Sequence, residues 1–180
     1  YEIRSTTGSG SFRQICSQVS MEGSFNSLYK PVVIENYTEI TLSVSGTKYP
    51  LIGYRLGANY RASKIILNTL SILQTTNDNY ILTLEKNPTL SVAPAWSSIS
   101  NSSAEYSQGT GAATVTANGY ILASYLGKGG SLQNDIFDFA DSAMSPGFYI
   151  NGTPEPHWIC ITPLANNSKF RSVLSLNEYE

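Results

Sequence analysis

The stretch "TNDNYILTLEKNPTL", residues 76–90, decides how the rest of the chain is read. Tyr80, Leu82 and Leu84 alternate with Ile81, Thr83 and Glu85, which is the period of a strand with two distinct faces. Asn77-Asp78-Asn79 opens the segment and Asn87-Pro88 closes it. Asn and Asp side chains bond to nearby backbone and favour turns, while Pro cannot donate to a strand ladder and restricts the residue before it. The segment therefore reads as turn, strand, turn, and it contains no catalytic pattern.

The same grammar repeats outward. Strand candidates fall at residues 2–6, 12–21, 31–34, 39–45, 51–57, 63–73, 80–85, 104–106, 119–125, 158–163 and 171–177. Turn clusters "GSGS", "SGTK", "TNDN", "KNP", "GKGG" and "NGTPEP" separate them. Many short strands at such spacing predict an all-β fold, an antiparallel β-sandwich of jelly-roll type with at most one short helix. The helix candidate is residues 131–144, where Leu132, Ile136, Phe139 and Ala140 have helical spacing and Ser131 could cap. Residues 97–119 read as a long loop with a short strand inside. In "KIILNTLSIL", strict alternation puts Ile65, Leu67, Thr69 and Ser71 on one face and Ile66, Asn68, Leu70 and Ile72 on the other. Two half-apolar faces predict burial against a second sheet and against a neighbouring subunit. No linker divides the chain, so residues 1–180 are expected to form one domain.

Composition narrows the function classes. Charged residues make up 13% of the chain, about half the usual share. Eleven Lys and Arg stand against thirteen Asp and Glu, for a net charge of -2, with no basic run. That argues against nucleic-acid binding. No apolar run reaches the length of a membrane-spanning helix. Cys16 and Cys160 each sit in an apolar run and read as small buried hydrophobes, with a bridge between them as the alternative.

The sequence shows no pattern for a catalytic, cofactor-binding or metal site. The lone His157 lies three residues from Cys160, which would place them on opposite strand faces. It reads as a half-exposed residue at a strand start. One His and two Cys are too few for a typical zinc centre. Asp135, Asp138 and Asp141 would share a helix face, best read as solvated, and they lack the glycine of a calcium loop. Glu22, Glu35, Glu39, Glu85 and Glu105 read as solvated carboxylates at strand ends or turns. "GKGGS" has Gly after Lys where a phosphate loop needs Ser or Thr. Asn-x-Ser/Thr triplets at Asn36, Asn101, Asn151 and Asn166 matter only in a secretory pathway. Aromatics remain. Trp96, after Pro94 in a loop, is the best exposed candidate for a ligand or interface, and Trp158 reads as core.

Taken together, residues 1–25, 49–73, 76–90, 96–108 and 119–126 resemble, in order and spacing, a recurrent β-rich domain of tailed-bacteriophage virion structural proteins, often of marine phages. The resemblance implies a non-enzymatic virion component on the capsid surface, at the neck or in a tail fibre, acting in assembly and host attachment. It implies copies of itself and other virion proteins as partners, with homo-oligomers, trimers among them. It also implies that the chain is the C-terminal part of a longer polypeptide. Residues 127–150 and Cys160 depart from the expected pattern. The alternative is a carbohydrate-binding module or adhesin tip that meets a cell-surface glycan through exposed Tyr and Trp. A depolymerase would instead need a Glu/Asp pair.

Overall fold

Alternating strands close into two stacked antiparallel sheets. The computed structural model describes residues 29–129, 134–138 and 145–179. Its strands are β1 (Lys30–Leu42), β2 (Tyr49–Leu56), β3 (Lys64–Gln74), β4 (Tyr80–Lys86), β5 (Thr89–Leu90), β6 (Ser97–Ser98), β7 (Ala104–Gln108), β8 (Val115–Ala117), β9 (Tyr120–Gly127), β10 (Asn134–Asp138), β11 (His157–Pro163) and β12 (Ser168–Tyr179). The smaller sheet has the order β1-β12-β3-β10, the larger β6-β7-β2-β11-β4-β9, and β5 pairs with β8 in a separate ribbon. Among the described residues there is no helix. The fold is an all-β antiparallel sandwich.

The core lies between the sheets. Val32, Ile34, Leu67, Leu70 and Leu174 come from the smaller sheet, and Tyr54, Leu82, Leu84, Ile159 and Ile161 from the larger, all in one apolar cluster. Tyr80 meets Phe170 edge-on across it at 5.3 Å between ring centres.

The opening segment forms as read, and tertiary contacts fix both of its ends. β4 pairs with β11 on one side and β9 on the other. Asn87 takes a φ of 54°, left-handed geometry that Asn tolerates better than most residues, and its N–H donates to the Pro156 carbonyl. At the other end Ser168 Oγ donates to Asp78 Oδ2 at 3.1 Å, and the Lys169 N–H donates to Thr76 Oγ1 at 3.1 Å. The "TNDN" turn is thus tied to the start of β12.

Several expectations change. Residues 31–34 and 39–45 belong largely to one strand, β1, whose register with β12 shifts between Asn36 and Ile40. The helix expected at residues 131–144 is replaced over Asn134–Asp138 by β10, which pairs with β3. Cross-strand hydrogen bonding there overrides the helical spacing, and with it goes the shared helix face of Asp135 and Asp138. The rest of that stretch, Asp141 included, lies outside the described residues, as do the strands expected at 2–6 and 12–21.

The two-faced reading of β3 also fails. Ser175 pairs with Thr69 but Leu176 with Leu67, so Asn68 is an extra residue on the β3 side. A bulge inverts the alternation from that point on. Ile65, Leu67, Leu70 and Ile72 are therefore all buried together, each 1% exposed or less. β3 buries a single face and does not present the two half-buried faces expected for a strand between a second sheet and a neighbouring subunit.

Candidate functional site: the covered face of the larger sheet

The central strands of the larger sheet are buried on both faces. Seven of the eight β2 residues are buried, as are six of the seven in β11. The inner face meets the smaller sheet. The outer face is covered by residues 87–119, an excursion that leaves β4, pairs β7 beyond β2, and returns through β8 to β9. It is built of β5, β6, β7 and β8, and residues 97–119, expected as a long loop with one short strand, hold three of these four.

Two clusters lie beneath this cover. Pairing places Trp158 opposite both Gly53 and Glu85. A Cβ on Gly53 would stand 2.6 Å from the Trp158 ring, so only glycine lets the indole lie flat on the strand. Trp96 meets Trp158 edge-on at 5.6 Å, and the Arg55 guanidinium sits 4.3 Å from a Trp96 ring centre. Arg55 is held in turn by Glu105, with Nε at 2.8 Å and Nη2 at 2.7 Å from Oε2. Beside this stack is a groove of about 230 Å³ lined by Pro50, Val92, Pro94, Gly109 and Trp158 among others.

The second cluster centres on Glu85. Its Oε1 accepts from Lys48 Nζ at 2.5 Å and from Thr83 Oγ1 at 2.8 Å, and its Oε2 accepts from the Gly119 N–H at 3.0 Å. Lys48 Nζ also donates to Asn118 Oδ1 at 2.9 Å. Glu85 is fully buried, while the Lys48 side chain is 18% exposed. Gly119 is required there, because a Cβ would stand 2.1 Å from the Lys86 carbonyl oxygen.

His157 is buried, not half-exposed, with Nδ1 3.4 Å from Tyr54 Oη. Burial lowers its pKa to about 4, helped by the Lys86 charge and opposed by Glu155. Burial also pushes the Tyr54 hydroxyl upward. Cys160 is a free, buried thiol, raised by burial and by the Glu85 charge, while Cys16 lies outside the described residues.

Trp158 is core, as read. Trp96 is half-buried rather than freely exposed, with Arg55 against its ring. Glu85 and Glu105 are paired rather than solvated, Glu35 is exposed, and Glu39 pairs with Lys169 at 3.1 Å. Glu22 lies outside the described residues. The Lys48–Glu85–Asn118 group carried no signal in sequence spacing, because Lys48 lies 37 and 70 residues from its two partners. No protein-family model matches the chain, and no curated protein matches it.

Proposed function

We propose that this chain is a non-enzymatic structural component of a tailed-bacteriophage virion that assembles with copies of itself through the β9 edge. The observation that carries this reading is the character of that edge. β9, "YILASYLG", has eight residues without a charge or a proline, and Tyr120, Ile121 and Leu126 are 70%, 46% and 83% exposed. Among the described residues its far side pairs with no strand. An uncharged, apolar edge strand is a template for another chain.

The other edges contrast with it. β1 carries Lys30, Pro31, Glu35 and an irregular register, and its Glu35 carbonyl accepts from Gln108 at 2.7 Å. β6 is two residues long, and β10 is five residues long with two aspartates. Those are devices that block edge pairing. β9 keeps only a register shift opposite Leu84 and Glu85. A second copy is the fitting occupant, because pairing β9 with itself opposes no like charges.

The topology supports the same reading. Taken alone, the eight principal strands give orders β1-β12-β3-β10 and β2-β11-β4-β9. We read this interleaving as a jelly roll, an architecture shared by viral capsid and lectin domains. The resemblance to phage virion domains supplies the particle, and with it a trimer or other homo-oligomer. A glycan partner finds less support, since Arg55 occupies a face of Trp96 that a sugar would need.

Sedimentation velocity tests assembly. The wild-type chain is expected as an oligomer, and Ile121→Lys with Leu126→Lys as a smaller, folded species. A wild type that stays monomeric at its highest soluble concentration overturns the self-assembly reading. Recovery of the chain from purified virions of its phage tests the particle reading, and its absence from them would overturn that.

A further inference from the structure

We propose that Lys48 and Asn118 become joined by an intramolecular isopeptide bond, with the Glu85 carboxylate carrying the protons. This inference is independent of the virion reading.

Three groups with complementary chemistry meet at one point. Lys48 Nζ is an amine, 2.5 Å from Glu85 Oε1 and 2.9 Å from Asn118 Oδ1. The carbonyl carbon of Asn118 lies one bond beyond that oxygen. Each group is held in place. The Lys48 carbonyl accepts from the Val115 N–H at 2.9 Å, which ties the strand start to the cover. The Gly119 N–H binds Glu85 at 3.0 Å, which fixes the residue next to Asn118. Thr83 Oγ1 orients the carboxylate at 2.8 Å. A nucleophile, an acyl carbon and a base within hydrogen-bond reach meet the geometric needs of acyl transfer. Glu85 is fully buried, which shields the proton transfers from bulk water, whereas Asn118 is exposed, which lets the leaving group depart.

The step balances without an outside reagent. Glu85 accepts a proton from the Lys48 ammonium. The free amine attacks Cγ of Asn118 and forms the new C–N bond. Glu85 returns its proton to the Asn118 amide nitrogen as the Cγ–Nδ2 bond breaks. The proton left on the attacking nitrogen departs with the ammonia as ammonium. An ammonium and a primary amide become a secondary amide and an ammonium ion, and Glu85 is regenerated. The bond clamps the excursion over the outer face to the start of β2.

Intact-mass and tryptic-peptide mass spectrometry of the purified full chain decide the matter. The expected mass is about 17 Da below the sequence value, from the lost ammonia. A branched peptide should contain Lys48 and Asn118, with no cleavage after Lys48. Glu85→Gln is expected to restore the sequence mass and cleavage after Lys48. Asn118→Ala, at an exposed position between β8 and β9, should do the same, and it decides the case if the buried variant fails to fold. A wild-type mass equal to the sequence value overturns the proposal. So does a mass loss that persists in Lys48→Arg, which would place it in a cyclic imide at Asn118-Gly119.

Discussion

In the smaller sheet β12 alternates strictly, with Ser168, Phe170, Ser172, Leu174, Leu176 and Glu178 buried and the residues between them partly or fully exposed. In the larger sheet β11 is buried from His157 to Ile161 without a break. Among the described residues the first strand has one neighbouring layer and the second has two. The difference teaches where polar chemistry can be placed. On the open face of the smaller sheet a charge such as Lys169 or Arg171 stays partly in water. On the covered face of the larger sheet a charge must be matched within the protein, as Glu85 is by Lys48, Thr83 and Gly119.

Truncation on the two outer faces should break or confirm this contrast most sharply. Trp158 is 2% exposed beneath the cover and Val33 is 51% exposed on the open face. Trp158→Ala is expected to cost about 3–5 kcal/mol, through lost burial and the cavity left between Gly53 and Trp96. Val33→Ala should cost less than about 0.5 kcal/mol. Urea denaturation measures both. Similar costs for the two would mean that the excursion does not cover the larger sheet in solution.

A smaller effect should come from pH, through His157 on the inner face of the larger sheet. Its folded pKa of about 4 lies below the ordinary 6.5. Between those values the unfolded chain binds a proton that the folded chain does not, so unfolding is favoured as pH falls. The stability is fully present above about pH 6.5, declines toward pH 4, and the loss amounts to roughly 3 kcal/mol. Carboxylates titrate at the lower end of the same window, so the diagnostic is a comparison. His157→Gln should flatten the fall between pH 6.5 and 4.5, as followed by denaturant midpoints. Parallel wild-type and variant curves would show that the imidazole is not buried neutral.

These contrasts also explain what the sequence made legible. A one-layer strand can show its two faces in the sequence: in "SKFRSVLSLNEY" Phe170, Leu174 and Leu176 fall on the buried positions, and Lys169, Arg171, Ser175 and Asn177 on the face toward water. The β4 segment was equally clear, because Asn, Asp and Pro mark its turns by their local chemistry. β10 was misread because its apolar spacing suits a helix, and only pairing with β3 selects the strand. β3 was misread because one extra residue, Asn68, inverts a pattern of period two, and nothing local marks it. The site was less legible than the fold. Lys48, Glu85 and Asn118 are ordinary surface residue types, and only the excursion folding back over the sheet makes them neighbours. Trp96 reads from its sequence context as the best exposed aromatic, yet it is half-buried, because its partner Arg55 lies far away in the chain and no local pattern shows the shielding.

The smallest expected effect concerns a buried charge on the inner face of the smaller sheet. Glu178, near the end of β12, accepts from the Ser103 N–H at 2.6 Å and from Ser102 Oγ at 2.8 Å. These bonds tie the smaller sheet to the turn between β6 and β7 of the larger. Burial alone would raise the Glu178 carboxyl, but the hydrogen bonds from Ser103 and Ser102 and the charge of Lys30 outweigh it and hold it below the usual value. A lowered folded pKa means that the stabilisation is present above the unfolded carboxylate pKa and is lost as pH falls through the folded one. Ser102→Ala removes one charge-assisted bond and should cost about 1.5 kcal/mol at neutral pH. It should also shallow the acid limb of the stability curve below pH 4.5, because Glu178 would then titrate closer to its unfolded value. If Ser102→Ala changes neither quantity, the Glu178 carboxylate is satisfied by water at the end of the sandwich. The smaller sheet would then hold no internally matched charge at this position, and the contrast with Glu85 would be sharper still.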